Sequence, residues 1–295
     1  MNDVSAHFHQ VEMKPKDFRS EIDPVWCAGC GHYGILSGIY RAMSELGLDP
    51  NYTVNISGIG CSSRTPYFVK SYQMHTLHGR AGAVATGTQL ARPDLAVIVT
   101  GGDGDGFSIG GGHMPHLARK NVNMSYVMMD NRIYGLTKGQ VSPTSRKEMK
   151  AYTTPYGGVE EPLDPVLYML TYGATYVGQA FAGNPKMCAR LIKGALEHRG
   201  FAFVNIFSQC PTFNTIDTAN YFKDLVVDVE EEIDLGDVMS AMNRVQQMNH
   251  EGKLAVGLLH QSHRATLDEE MSRLIAQVGG NADYDLQTII DDSRP

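Results

Sequence analysis

Apolar residues come in two rhythms along this chain, and the rhythms alternate. Short, mainly apolar runs at 53–57, 95–100, 124–129, 201–207 and 254–259 read as strands, and the run at 95–100 reads as one buried in a parallel sheet. A further short strand is expected at 173–177. Between the runs, Ile35, Leu36, Ile39, Met43 and Leu46 recur at helical spacing within 33–46. Helices are likewise expected at 81–90, about 110–120, from 164 to 169, at 185–198 and at about 235–248. The alternation predicts an α/β fold, a mostly parallel sheet flanked by helices, with a C-terminal appendage. Residues 1–20 read as an N-terminal arm, 21–225 as the main domain and 226–295 as the appendage. The last of these begins where the composition turns acidic (228–234) and ends in a stretch, 261–295, that looks helical and then frayed. No internal repeat is apparent.

A chain of 295 residues can bury a large core, and 31 glycines fit many close-approach loops rather than low complexity. A net charge of −7 argues against nucleic acid or a membrane surface as partner. No apolar run approaches the roughly 18 residues that span a bilayer. The polar N-terminus lacks the apolar core of a signal peptide, so a cytoplasmic location is expected. There, five cysteines are better read as metal ligands or core residues than as disulfides.

The chemistry concentrates between Leu95 and Gln140. The strand at 95–100 breaks into Gly101-Gly102-Asp103-Gly104-Asp105-Gly106, where glycines let backbone amides approach a bound group. A helix and a second strand follow, ending in Asp130-Asn131. Oxygen ligands thus stand at the carboxyl ends of neighbouring strands, the edge where open α/β sheets bind ligands. Mg²⁺ wants near-octahedral oxygen ligands, usually shared with a phosphate. Asp103, Asn131 and a carbonyl near Ile133 could supply three. A Walker A loop would need Gly-Lys-Ser/Thr, which is missing, and Phe107 defeats both an EF-hand and a dinucleotide fingerprint.

The cysteines also fall at particular places. Cys27-x-x-Cys30 opens a helix, Cys61 sits in a Gly/Ser loop after a strand, and Cys210 follows another strand and precedes Pro211. Cys188 lies mid-helix among apolar neighbours and reads as a packing residue. Four thiolates suit either a four-iron, four-sulfur (4Fe–4S) cluster or structural zinc. His75, His78 and Arg80 precede the small-residue helix at 81–90, where they could contact a diphosphate or simply cap a polar loop. The loop-rich stretch 138–165 is long enough to expect function in it.

Gly-Asp-Gly, 25 residues (105–129), then a pair ending in Asn resembles the thiamine diphosphate fingerprint. The first residue of that pair is usually Asn and is Asp130 here; the second, Asn131, is kept. Taken with WCAGCGH (26–32), GIGCSS (58–63), HTLHGRA (75–81), DNRIYGLTKGQ (130–140) and CP (210–211), the chain resembles the beta subunit of a 2-oxoacid:ferredoxin oxidoreductase of the two-subunit, 2-oxoglutarate type, over roughly residues 20–260.

The resemblance implies a thiamine-diphosphate-binding fold of the pyrophosphate type, with Mg²⁺ on Asp103, Asn131 and the Ile133 carbonyl. It implies one 4Fe–4S cluster on Cys27, Cys30, Cys61 and Cys210. Diphosphate and thiazolium contacts would fall on Ile59, Gly60, Cys61, Ser62, His78, Gly104, Asp105, Gly135 and Leu136, and substrate carboxylate contacts on Arg64 and Lys138. It also implies a larger alpha subunit that carries the activating glutamate, in a heterodimer paired into a dimer of heterodimers. The activity implied is coenzyme A-dependent decarboxylation of 2-oxoglutarate to succinyl-CoA, reversible in principle, with electrons leaving to ferredoxin. Pyruvate or branched-chain 2-oxo acids are the alternative substrates. A non-oxidative thiamine enzyme subunit and a non-catalytic zinc-bound subunit are the rival classes.

Overall fold

The structure is a computed structural model and describes residues 9–278 and 286–294. Residues 1–8 of the expected arm, and 279–285 and 295 of the expected C-terminal helical stretch, lie outside the described residues.

In chain order the elements are α1 (His32–Leu46), β1 (Thr53–Ser57), α2 (Thr65–Phe68), β2 (Tyr72–His75), α3 (Ala81–Ala91), β3 (Ala96–Gly102), α4 (Met114–Lys120), β4 (Met124–Asp130), α5 (Pro165–Thr171), β5 (Tyr176–Phe181), α6 (Pro185–Glu197), β6 (Phe201–Phe207), α7 (Ala219–Leu225), β7 (Val226–Asp228), α8 (Val238–His250), β8 (Leu254–Gln261), α9 (Leu267–Gln277) and α10 (Leu286–Asp292). The strands form one sheet in the order β2-β1-β3-β4-β6-β5-β8-β7. Every pairing is parallel except β5 with β8.

Both faces are covered, which is why the central strands read as apolar runs rather than alternations. Ile98, Val127, Met129, Val204 and Ile206 pack under α1 and α6 on one face. Val97, Val99, Tyr126, Met128 and Phe203 pack on the other, under α3, α4, α5 and α8. Cys188 is fully buried in the first of these layers, and its thiol donates to the Phe181 carbonyl at 3.4 Å. After β1 the chain builds outward to β2, then returns across β1 to lay down β3. The reversal opens a crevice at the carboxyl ends of β1 and β3.

Some elements differ from expectation, each for a local reason. The strand expected at 173–177 begins at Tyr176, because Gly173, at φ +76°, takes the chain out of α5 through a left-handed turn. The helix expected from about 110 starts at Met114. Before it runs a wide turn of π geometry at Asp105–Ile109 and the poor helix formers Gly110, Gly111 and Gly112. Exposed β2 and three-residue β7 have no apolar run to announce them.

Candidate active site

The crevice at the switch point holds a cavity of about 540 Å³. Its walls come from the ends of β1, β3 and β4: Ile59, Gly60, Cys61 and Ser62 from the first, Asp103, Gly104 and Asp105 from the second, Asn131, Ile133, Gly135 and Leu136 from the third, with His78 from the loop before α3. Every residue that the resemblance assigned to diphosphate, thiazolium or Mg²⁺ therefore lines one space, whereas His75 and Arg80 do not line it: His75 bonds Ser57 and Ser63, and Arg80 bonds His113. Gly102, Tyr134, Thr137 and Gln140 line it too and were not singled out in the sequence. Arg64 and Lys138 do not line it; both are exposed.

Three carboxylates are buried around this cavity. Asp105 Oδ1 accepts from the Ile59 amide (2.9 Å), the Gly79 amide (2.8 Å) and His78 Nδ1 (2.9 Å), pinning the loop after β1 and the loop before α3 to one oxygen. Its Oδ2 is buried without a partner. A side chain at Gly58 would put Cβ 2.1 Å from that oxygen, so the β1 loop can come this close only as glycine. Asp103 accepts from the Asn131 amide at 3.3 Å and from Thr144 Oγ1 at 2.9 Å. Thr144 Oγ1 also lies 2.8 Å from Asp130 Oδ1, and Asp130 Oδ2 is a second orphan. A hydroxyl has one proton, so Thr144 donates to one carboxylate at a time.

Asp103 and Asp130 are each 1% exposed. Burial pushes the Asp103 carboxyl well above the usual carboxylate range, and the neighbouring Asp130 adds to the shift. Burial raises Asp130 and Asp105 as well. Asp103, buried in the cavity wall beside a second carboxyl and offered only one amide and one shared hydroxyl, fits a site that takes a hard cation. Asn131 adds a neutral oxygen: its Oδ1 accepts from the Ile133 amide at 3.1 Å, turning the chain sharply after β4. Thr144 is the contributor sequence reasoning missed. Its one signal was membership of the long polar loop at 138–165.

Beside the cavity the cysteines gather. Cys27 is exposed, Cys30 and Cys61 half-buried and Cys210 buried. Cys30 is close enough to Cys210, Cys61 and Cys27 for all three to act on its charge, and burial with those neighbours pushes its thiol up to about 12. Cys188 takes no part. Backbone contacts hold the group: Trp26 Nε1 donates to the Cys61 carbonyl at 2.7 Å, and the Gly31 amide to the Gln209 carbonyl at 3.1 Å. Among the described residues, no three His, Cys, Asp or Glu side chains are grouped as one metal ion would need.

Comparison with known proteins gives these features a family. Residues 58–206 match the family of the thiamine pyrophosphate enzyme C-terminal TPP-binding domain, and residues 210–275 match the C-terminal part of the pyruvate ferredoxin oxidoreductase beta subunit. The chain is 44% identical to 2-oxoacid:ferredoxin oxidoreductase 2, subunit beta, of Aeropyrum pernix over 73% of this chain and 70% of that one. It is 35% identical to the 2-oxoglutarate synthase subunit KorB of Methanothermobacter marburgensis over 93% and 95%. Its fold matches a chain of the 2-oxoglutarate:ferredoxin oxidoreductase from Magnetococcus marinus, solved with 2-oxoglutarate, coenzyme A and succinyl-CoA bound. That match has 64% identity, a TM-score of 0.92 and coverage of 98% and 99%. A TPP-type cavity at the switch point, a cysteine group on its flank and relatives of this length and identity agree, and the chain belongs to the family of 2-oxoacid:ferredoxin oxidoreductase beta subunits.

Proposed function

We propose that this chain, with a larger alpha subunit, catalyses the coenzyme A-dependent oxidative decarboxylation of 2-oxoglutarate to succinyl-CoA and CO₂. The two electrons leave one at a time through a 4Fe–4S cluster to ferredoxin, and the reaction is reversible in principle. The observation that carries this reading is at Gly135. A Cβ built there lies 3.6 Å from both Cys61 Sγ and Cys210 Sγ and 3.9 Å from Asn131 Nδ2. A side-chain-free residue thus has two of the four thiols on one side and the Asn131 side chain on another. Cys61 belongs to both, since it also lines the cavity.

Thiamine diphosphate supplies the decarboxylation chemistry when bound. Asp103, Asn131 and the Ile133 carbonyl hold the Mg²⁺ that carries its diphosphate, and the cation relieves the burial cost of Asp103 and Asp130. His78, Ile59, Gly60, Ser62, Gly104 and Asp105 surround the diphosphate, and Gly135 and Leu136 the thiazolium. Cys27, Cys30, Cys61 and Cys210 hold the cluster. Zinc could not accept the electrons that this oxidation releases, so the chemistry favours a four-iron cluster over zinc on these thiols. Arg64 stands near enough to Cys61 to act on its thiol, and with Lys138 it offers cations for the substrate's carboxylates. The names of the KorB relatives and of the Magnetococcus marinus structure favour 2-oxoglutarate. The activating glutamate comes from the alpha subunit, so the isolated chain is expected to be inactive.

The test is anaerobic. The chain is purified with the larger subunit it binds, then 2-oxoglutarate or pyruvate is added with and without coenzyme A while the iron–sulfur absorbance is followed. Bleaching by 2-oxoglutarate, accelerated by coenzyme A, is expected. Bleaching by pyruvate alone would keep the chemistry and replace the substrate. Zinc with no iron–sulfur band would overturn the reading.

A further inference from the structure

The loops that leave β4 and β6 part company immediately after their strands, yet they must present Asn131 and Cys210 to adjoining sites. They start in register, with Asp130 opposite Phe207 and the Ser208 amide donating to the Asp130 carbonyl at 2.8 Å. Beyond that point no sheet hydrogen bonds hold them together.

Asn214, 1% exposed, joins them again. Its own amide N–H donates to the Cys210 carbonyl at 3.1 Å. Its Nδ2 donates to the Asn131 carbonyl at 3.1 Å and to Asp217 Oδ2 at 3.0 Å. Its Oδ1 accepts from the amides of Ile216 (3.3 Å) and Asp217 (3.0 Å). Both protons and both lone pairs of the carboxamide are used, so its orientation is fixed; the flipped amide would face two acceptors with an oxygen. Asp217, fully buried, carries the tie outward, with Arg146 Nε 3.0 Å and Arg132 Nη1 3.7 Å from its Oδ1.

Arg132 shows why such a clasp is needed. It follows Asn131 directly and sits at φ +55°, a conformation that costs a non-glycine residue energy and persists only when its surroundings impose it. Its guanidinium lies over the rings of Phe207 (5.1 Å) and Phe222 (5.4 Å) while facing Asp217. Asn131 is therefore held from its carbonyl by Asn214 and through its neighbour by Asp217.

We propose that Asn214, backed by Asp217, is a positioning residue that sets the register between the Cys210 loop and the Asn131 loop, and so fixes the cluster and the Mg²⁺–diphosphate site relative to each other. This rests on the function proposed above. Asn214→Asp tests it in the complex with the alpha subunit. The variant is isosteric but turns an acceptor toward the Asn131 carbonyl and the Asp217 carboxylate. The dissociation constant of thiamine diphosphate in saturating Mg²⁺ is expected to rise about tenfold, the usual consequence of removing a residue that orients a metal ligand. In the same sample the EPR line shape of the reduced cluster is expected to change and its midpoint potential to shift. Asp217→Asn, which removes the ion pairs and keeps the volume, should shift both signals in the same directions by less; it serves if the first variant does not fold.

A fall in melting temperature with cofactor affinity and EPR spectrum at wild-type values would overturn the proposal, leaving Asn214 a packing residue. A change at one site alone would overturn it too. Wild-type complex that contains neither cluster nor thiamine diphosphate would instead defeat the proposed function.

Discussion

The two edges of the sheet bury similar polar residues to opposite ends. At the amino edge, Asn121 Oδ1 accepts from Thr175 Oγ1 at 2.8 Å and from the Phe201 amide at 2.9 Å. Its Nδ2 donates to the carbonyls of Arg264 (2.8 Å) and Ala265 (3.2 Å). His198 Nε2 reaches Thr175 Oγ1 at 2.7 Å, and with the hydroxyl proton given to Asn121 the imidazole is the donor. This network is neutral and all but closed, and it ties the end of α4, the start of β5 and the segment before α9 together. At the carboxyl edge Asp103 and Asp105 share a cavity with Asp130 buried behind them, and Asp105 and Asp130 each keep an orphaned oxygen. Burying a charge without a partner costs stability, whereas a paired amide does not. The open edge is where the fold awaits something from outside; the closed edge is where it holds itself together. Changes at the carboxyl edge should remove cofactors, and changes at the amino edge should remove stability.

The largest expected effects fall on the carboxyl edge. Cys61→Ser should lose the iron–sulfur absorbance of the purified complex altogether, while Cys188→Ser keeps it; the opposite pattern would refute the choice of thiols. Asp103→Ala should weaken Mg²⁺-dependent retention of thiamine diphosphate by about a hundredfold, at the upper end of what metal-site changes cost. Cofactor content after gel filtration measures it, and normal content would refute the Mg²⁺ assignment. Thr144→Val, which deletes the hydroxyl between Asp103 and Asp130 without changing shape, should cost about tenfold in the same assay. Neither Asp103→Ala nor Thr144→Val should lower the melting temperature of the metal-free protein as much as an amino-edge change does.

What could be read beforehand follows the same division. Strands 96–102, 124–130 and 201–207 announce themselves because both faces are buried, and the Gly-Asp-Gly loop because no side chain fits where Gly104 meets Tyr134. The grouping of Cys27, Cys30, Cys61 and Cys210 was readable from their places at a helix start and strand ends. Thr144, Asn214 and Asp217 were not. Each is a common polar residue in a loop, and its importance comes from burial against residues distant in sequence, which no local pattern encodes. Exposed β2 was missed for the converse reason: its pairing is supplied by β1, not by its own side chains.

The amino edge yields the smaller, stability-borne predictions. Asn121→Ala strands the Phe201 amide and the Arg264 and Ala265 carbonyls and replaces a residue at φ +52° that asparagine tolerates better than alanine. A loss of about 3 kcal/mol is expected, read by denaturant unfolding, with cofactor affinity unchanged in what remains folded. The pH dependence of His198 is smaller again. Burial, with the charges of His263 and His260 behind it, depresses its pKa from 6.5 to about 4. The unfolded chain therefore takes up a proton near pH 6.5 that the folded chain refuses, so the stability this residue lends is complete above that pH and drains away as pH falls toward 4. Between pH 7 and pH 5 the loss is roughly 2 kcal/mol, or about 3 °C in melting temperature for a chain of this size. Fully buried His32, lowered to about 4 by burial alone, acts in the same direction, so the wild-type slope contains both. His198→Gln separates them. It keeps a donor for Thr175 Oγ1 and removes the titration, so its melting temperature should fall by about 3 °C less than wild type over the same two pH units. An unchanged slope would mean that the amino edge admits a charge after all, and the contrast between a closed edge and an open one would fail at its simplest point.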